Sequence, residues 1–416
     1  MDAIRIYGGN CLRGQTKIQG SKNASLPVLA ATLLINGTCE IENCPNISDV
    51  FHMLRLLGSL GCRVTREEGL VRVDTGQLSE CDMPADSVGV MRSSIMLLGA
   101  LLARTGSVGM EYPGGCVIGK RPIDLHLRAL RRMGVEIVEE EDGFCARTQR
   151  LKGAVHELPF VSVGVTENLI LAAVLAQGCT VIHPAAREPE IQILCEFLQS
   201  AGAKIMGVGT DRLVVEGVRC LHPVRFHVPA DRIVAGTYLA ACMCTGGSAF
   251  LQDAPCEHMQ SVLACARKLG TEITCEKDGI LVSGRGCAAL PAGLVTECYP
   301  GFPTDLQSLF MVVMALSGHS GWIEETVFEN RFRIVPELCR MGADITVQGA
   351  RAYIRPVKKL HGAIVEAKEL RGGAALVAAA LAAEGTSIVT NRHYIDRGYE
   401  DITLSFRELG ADIELA

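Results

Sequence analysis

Leu60-Gly61-Cys62-Arg63-Val64 reads as a helix end running into a strand, and the pattern returns five more times along the chain. The later copies are Met133-Gly134-Val135-Glu136-Ile137, Ala201-Gly202-Ala203-Lys204-Ile205, Leu269-Gly270-Thr271-Glu272-Ile273, Met341-Gly342-Ala343-Asp344-Ile345 and Leu409-Gly410-Ala411-Asp412-Ile413. Their glycines recur every ~70 residues, each where a helix ends in a conformation that glycine takes without strain. A second signature is interleaved with the first, an apolar helix stopped by glycine and followed by a short strand. These helices are read over 24–35 before Gly37, 93–103 before Gly106, 168–176 before Gly178, 235–244 before Gly246, 306–316 before Gly318 and 374–383 before Gly385. They are apolar nearly all round, and a helix without a polar face must be enclosed on every side. The predicted unit is therefore strand, enclosed helix, strand, surface helix and a closing hairpin, such as Val64 to Val73 or Ile273 to Val282.

Six α/β units in two sets of three imply two similar domains. The break falls near Val228-Pro229-Ala230, where the fourth copy opens. One three-repeat domain is expected over 22–229, and a second over 1–21 and 230–416, with Ile4 to Ile18 as a strand completing the latter.

Composition narrows the function classes. With 416 residues, 48% hydrophobic, 21% charged and 44 glycines, the chain reads as a turn-rich globular protein. A formal charge of −6 and scattered basic residues give no footprint for nucleic acid, so any anionic ligand must be held by a local cluster. The start Met1-Asp2-Ala3-Ile4-Arg5-Ile6 has neither a basic nor an apolar export region, and the longest apolar runs are too short to cross a bilayer, which predicts a cytoplasmic protein. Eighteen cysteines are numerous, but many lie in apolar helical stretches, as Cys195, Cys242 and Cys244 do. A disulfide framework is not expected in a large reduced protein, and no Cys-x-x-Cys pair or Cys/His cluster is spaced for zinc.

Polar residues gather where the enclosed helices begin. Ser21, Asp231 and Thr304 read as ordinary N-caps. Lys22, Arg92 and Arg371 cannot be caps, because a cation at a helix N-terminus opposes the macrodipole; an anionic ligand is the simplest compensation. Loops after the second strand of a repeat add Cys116, Lys120 and Arg121, then Arg187 and Glu188, then Glu329, Asn330 and Arg331, then Asp396, Arg397 and Glu400. Singly, each such arginine reads as a surface ion pair worth ~0–1 kcal/mol. Their recurrence at equivalent repeat positions points to a shared site, expected in a cleft between the domains.

The loop Tyr112-Pro113-Gly114-Gly115-Cys116-Val117-Ile118-Gly119-Lys120-Arg121-Pro122 displays one thiol beside two cations, a setting that favours a reactive thiolate. Gly114 to Lys120 also fits half of a P-loop, but Arg121 stands where that motif needs Ser or Thr, which excludes a nucleoside triphosphatase.

Several longer motifs are specific. They are Gly20-Ser21-Lys22-Asn23-Ala24, Pro113-Gly114-Gly115-Cys116 with Gly119-Lys120-Arg121-Pro122-Ile123-Asp124-Leu125-His126, Ala186-Arg187-Glu188-Pro189-Glu190, Phe302-Pro303-Thr304-Asp305, Glu325-Thr326-Val327-Phe328-Glu329-Asn330-Arg331-Phe332 and Ile395-Asp396-Arg397-Gly398-Tyr399-Glu400. Through them the chain resembles, almost end to end, the UDP-N-acetylglucosamine enolpyruvyl transferases of the enolpyruvyl transferase family. The resemblance implies a two-domain inside-out α/β barrel, and transfer of the enolpyruvyl group of phosphoenolpyruvate to the 3′-hydroxyl of UDP-N-acetylglucosamine in peptidoglycan synthesis. It implies no metal or organic cofactor.

By the same resemblance Cys116 protonates phosphoenolpyruvate and Asp305 accepts the proton of the sugar hydroxyl. Lys22, Arg121 and Arg397 hold the phosphoenolpyruvate anion, and Asn23 places the intermediate. Arg92, Arg121, Pro122, Ile123, Asp124, Leu125, Ser162, Val163, Asp305 and Val327 line the nucleotide sugar, while Arg331 and Arg371 serve the cleft. Three positions depart from the family: Phe160 replaces its lysine, Glu369 its aspartate, and Tyr394 its histidine, with His393 one place earlier. Two other functions compete. The sister transferase acting on shikimate 3-phosphate lacks the cysteine loop, and a paralogue that binds the UDP-sugar without turnover is disfavoured by retention of Lys22, Cys116, Asp305 and Arg397.

Overall fold

The computed structural model describes residues 2–78, 92–112, 123–284 and 293–416. All twelve marker glycines of the two signatures are left-handed, with φ between +65° and +126°. In this region a Cβ is strained, so glycine is favoured there. The six glycines of the first signature directly follow a helix C-cap, and Gly106 and Gly246 are C-caps themselves. Gly37, Gly178, Gly318 and Gly385 instead lie in the turns beyond helices that end at Leu34, Ala173, Ala315 and Ala382, earlier than the sequence pattern suggests.

Among the described residues there are six sheets, five of four strands and one of three. Each four-stranded sheet has one parallel pair and two antiparallel pairs. In the first repeat, Arg225–His227 runs parallel to Thr38–Glu42, which continues antiparallel into the hairpin Leu70–Asp74 and Arg63–Glu67. The parallel edge strand is thus borrowed from far along the chain. In the fourth repeat the same place is taken by Arg13–Lys17, parallel to Ser248–Gln252. The sixth repeat closes its sheet with Ala3–Tyr7, which pairs with both Thr386–Thr390 and Asp412–Leu415. The stretch Ile4 to Ile18 is therefore two strands in two sheets and not one strand. The break lies at Gly8 and Gly9, where a Cβ on Gly8 would lie 2.2 Å from the carbonyl oxygen of Ala380.

The chain separates into two compact units. One runs from Gly20 to Pro229; the other joins the segment ending at Gln19 to that from Ala230 to Ala416. In the second unit the helices Arg232–Thr245, Gln307–Ala315 and Leu370–Ala382 pack against one another. Every residue of Gln307–Ala315, and every residue from Leu370 to Leu381, is buried. In the first unit Leu97–Thr105 packs against both Val163–Ala173 and Lys22–Ala31. The surface helices are amphipathic instead: Asp124–Arg132 buries Leu125, Leu127, Ala129 and Leu130 and carries Arg131 and Arg132 in its last turn. No helix among the described residues is long and apolar enough to cross a membrane.

Burial pushes the thiols of Cys195 and Cys242 up to about 12, which makes them inert filling. One pair departs from the expectation of unpaired cysteines: Cys256 and Cys275 form a disulfide that closes a loop across the helix Gln260–Lys268. Nothing in their sequence spacing marks them, since the hairpin brings Cys275 back to the turn that holds Cys256.

Candidate active site

In the first unit the Gly20-Ser21-Lys22 motif is set by close backbone approach. A Cβ on Gly20 would lie 1.7 Å from the carbonyl oxygen of Asn43, so only glycine fits. Asn43 in turn donates from Nδ2 to the carbonyl of Val228 at 2.8 Å. Ser21 caps the helix Lys22–Ala31 by accepting from the amide of Ala24 at 3.3 Å, as its position in sequence suggests. Lys22 is the first helical residue, and its Nζ lies 2.8 Å from Oδ2 of Asp49, with both side chains buried. Asp49 lies in the first turn of Ser48–Ser59, where a carboxylate is favoured by that helix's own dipole. A protein carboxylate therefore offsets the charge that sequence reasoning assigned to an anionic ligand. Asp49 was missed because a first-turn acid is commonplace.

The other expected positions of this unit line up at chain starts. Arg92 opens the 3-10 turn Arg92–Met96. Half-buried Ile123, exposed Asp124 and buried Leu125 open the helix Asp124–Arg132. Ser162 caps Val163–Ala173 by accepting from the amide of Val165 at 3.4 Å, and Val163 is half-buried. Phe160 is 61% exposed just before this helix. Asn23 is half-buried beside Lys22. Cys116, Lys120, Arg121 and Pro122 lie outside the described residues.

Further along the helix that Ser162 caps sits a buried acid. Glu167 is buried, and its Oε2 has no hydrogen-bond partner among the described residues. Burial first, then the charges of Glu190 and Glu188, push its carboxyl well above the usual range.

The second unit gathers a charged network around Asp305. Arg331 donates from Nη2 to one oxygen of Asp305, while Nε and Nη2 of Arg371 donate to the other at 3.3 and 3.2 Å. Nη1 of Arg331 also lies 3.5 Å from Glu369. Glu369 caps the helix Leu370–Ala382, accepting from the amides of Arg371 (2.8 Å) and Gly372. A glutamate reaches both amides, so the departure at this position keeps a functional cap. Burial opposes the charge of Arg371, but Asp305, Tyr399 and Asp231 outweigh it and raise its pKa. As with Lys22, the compensation for a cation at a helix start is a carboxylate of the chain itself.

Thr304 is not the cap its position suggests. It is the first residue of the 3-10 turn Thr304–Leu306, and no side chain caps that turn. Its hydroxyl donates to Glu325 at 2.9 Å and accepts from Nε of Arg331 at 3.2 Å. The other oxygen of Glu325 accepts from the amides of Val327 (2.9 Å) and Phe328 (3.0 Å). Asp305, Val327, Arg331 and Arg371 are thereby brought into one connected set, through Glu325 and Thr304, whose linking role the sequence did not signal. Asp231 does cap its helix, accepting from Ile233 (2.8 Å) and Val234 (3.1 Å). Arg397 is half-buried at the end of the 3-10 turn Arg392–Arg397, and Gln19 ties down the chain beyond it through Gly398 and Glu400. Tyr394 stacks on His393, whose ring pairs with Asp2.

Chemically, one unit presents a buried ammonium at a helix start, and the other an immobilised carboxylate clamped by two guanidinium groups. Immobilised groups of this kind act on a ligand without reorganising. Arg371 keeps one buried donor, Nη1, without a partner among the described residues.

A protein-family model described as EPSP synthase (3-phosphoshikimate 1-carboxyvinyltransferase) matches residues 6–405 of the chain. The chain is 44% identical over 416 residues to UDP-N-acetylglucosamine 1-carboxyvinyltransferase 2 of Caldanaerobacter subterraneus subsp. tengcongensis, covering 99% of each. It is 45% identical over 417 residues to the UDP-N-acetylglucosamine 1-carboxyvinyltransferase of Granulibacter bethesdensis, covering 100% of this chain and 99% of that one. Among solved structures it is similar to the enolpyruvyl transferase NikO from Streptomyces tendae, with TM-score 0.89, 23% identity, and 99% and 98% of the two chains covered. The EPSP synthase from Acinetobacter baumannii gives TM-score 0.78 at 18% identity over 100% and 99% of the chains. At these identities the structural likeness concerns the fold.

Proposed function

Because the chain belongs to the EPSP synthase family of carboxyvinyltransferases, with its two-domain inside-out α/β barrel, we infer that it transfers the enolpyruvyl group of phosphoenolpyruvate to the 3′-hydroxyl of UDP-N-acetylglucosamine. Phosphate is released, and the reaction is the first committed step of peptidoglycan synthesis. The observation that carries this acceptor is full-length identity near 45% to transferases named for it. A cytoplasmic site of action follows from the nucleotide-linked substrate.

The chemistry requires three proton transfers: from the sugar hydroxyl, onto C3 and off the new methyl group. The sugar oxygen attacks C2 of phosphoenolpyruvate while C3 takes a proton, giving a tetrahedral ketal; loss of a proton from the new methyl group then expels phosphate. Cys116 is assigned the proton to C3, and Asp305 the proton of the sugar hydroxyl. Clamping of Asp305 by Arg331 and Arg371 supports that role, because it fixes the acceptor's direction. Lys22, Arg121 and Arg397 are assigned to the phosphoenolpyruvate anion, with Asn23 placing the intermediate. The partnered Lys22–Asp49 arrangement supports a fixed position for the ammonium. Arg92, Arg121, Pro122, Ile123, Asp124, Leu125, Ser162, Val163 and Val327 are assigned to the nucleotide sugar.

A coupled phosphate-release assay with each acceptor tests the assignment. Turnover with UDP-N-acetylglucosamine and none with shikimate 3-phosphate is expected; the reverse would end it.

A further inference from the structure

One buried amide touches three segments of the first unit. Asn168, on Val163–Ala173, is 1% exposed. Its Oδ1 accepts from the amide of Gly99 at 2.7 Å, and its Nδ2 donates to the carbonyl of Ile95 at 2.7 Å. Nδ2 also lies 3.0 Å from Nδ1 of His126. Gly99 is in the first turn of Leu97–Thr105, whose own N-cap residue, Met96, makes no side-chain cap. Asn168 thus supplies from a neighbouring helix the acceptor that a cap would provide. The approach depends on glycine, since a Cβ on Gly99 would lie 2.3 Å from the carbonyl oxygen of Asn168. The ring of His126 packs on Gly164, where a Cβ would stand 3.4 Å from Cε1.

These partners leave no choice of amide orientation or ring tautomer. The amide of Gly99 can only donate and the carbonyl of Ile95 can only accept, so Oδ1 and Nδ2 of Asn168 are assigned by main-chain groups. The second hydrogen of Nδ2 then faces Nδ1 of His126, which must be the unprotonated nitrogen, and the neutral ring carries its hydrogen on Nε2.

We propose that Asn168 is a positioning residue for the nucleotide-sugar half of the site, acting through His126. The proposal rests on the reading above that Arg92, Ile123 to Leu125, and Ser162 and Val163 hold that acceptor. Each of these segments leads to the same amide. Ile95 belongs to the turn opened by Arg92, His126 directly follows Leu125, and Ser162 caps the helix that carries Asn168. The amide sets the spacing of three chain starts at once, and a displacement of about 1 Å at such groups is enough to lower productive binding severely.

Replacing Asn168 itself would leave two buried main-chain groups without partners and lower stability, so the test turns on half-buried His126. In the full-length enzyme His126→Ala raises KM for UDP-N-acetylglucosamine about tenfold, the effect of one lost buried hydrogen bond. KM for phosphoenolpyruvate and kcat move less than about twofold, within the scatter of an unaffected step. His126→Gln, whose Oε1 can accept from Asn168, recovers most of the loss. The ¹⁵N spectrum of the wild-type protein shows His126 unprotonated at Nδ1. Both KM values rising together, neither rising, Gln behaving like Ala, or a proton on Nδ1 would each overturn the proposal. A wild-type protein that fails to turn over UDP-N-acetylglucosamine would overturn the functional reading and this proposal with it, whereas turnover without the KM split overturns the proposal alone.

Discussion

Arg371 and Glu167 both lie in the opening turns of enclosed helices, and both are buried, yet burial leaves them in opposite states. Arg371 meets Asp305 and stays charged, with a raised pKa. Glu167 meets other carboxylates and is driven towards its neutral form. The strand residue His156 behaves like Glu167: it is buried, its Nε2 has no partner among the described residues, and burial lowers its pKa to about 4. The second unit thus keeps ionised groups inside by pairing them, and the first keeps one such pair, Lys22 with Asp49, beside groups that burial neutralises. A shared repeat fixes where a helix begins but not which charge is buried near its start.

Removing a carboxylate from the paired network should produce the largest effect. Asp305→Ala removes the carboxylate shared by Arg331 and Arg371, leaving Glu369 facing Arg331, and about 3–5 kcal/mol of stability should be lost in urea unfolding. Turnover should fall about 10²-fold or more, as expected for loss of a proton acceptor. An Asp305→Ala protein of wild-type stability would mean that the network is not a stability element.

The buried Lys22–Asp49 pair of the first unit should cost somewhat less. Lys22→Met removes the buried cation that faces Asp49, for about 3 kcal/mol at the low end of the same range, and Lys22→Met with Asp49→Leu should recover much of that stability without recovering activity. Recovery of turnover by the double variant would exclude Lys22 from the donor site.

The neutralised groups give pH effects of opposite sign. His156 has a folded pKa of about 4 against an ordinary histidine value of 6.5, so the unfolded chain binds the extra proton as pH falls. The stability present above pH 6.5 should be lost progressively down to about pH 4, up to about 3 kcal/mol, and His156→Leu should remove that part of the slope. Glu167, with its folded pKa raised, contributes stability at low pH that is lost as pH rises. Glu167→Gln should therefore stabilise the protein at neutral pH, with the gain shrinking as the medium is acidified. A gain independent of pH would contradict a neutral buried acid.

The parts legible in sequence were those written locally. The six glycines of the first signature, with Gly106 and Gly246, announce helix ends because a positive φ penalises every other residue there; Gly37, Gly178, Gly318 and Gly385 mark turns beyond the ends. Ser21 and Asp231 announce caps because the acceptor and the orphan amides are two or three residues apart. The compensation of the cations was hidden because it is non-local: Arg331 and Arg371 reach Asp305 across 26 and 66 residues. Thr304 misled for the same reason, its hydroxyl being taken by Glu325, 21 residues away. Asn168, 69 and 73 residues from Gly99 and Ile95, reads in sequence as one polar residue in an apolar helix. The borrowed strand Arg225–His227 was equally invisible, because the repeat it completes is not the one it precedes; Ile4 to Ile18 does complete the second domain as expected, but as two strands in two sheets.

The central claim is addition and elimination at phosphoenolpyruvate with proton transfer to C3. The direct measurement is mass spectrometry of the product formed from phosphoenolpyruvate and UDP-N-acetylglucosamine in D₂O. The account predicts 3′-O-enolpyruvyl UDP-N-acetylglucosamine with deuterium in its methylene group, and inorganic phosphate in equal amount. An enolpyruvyl product free of deuterium, or none at all from this acceptor, would contradict it.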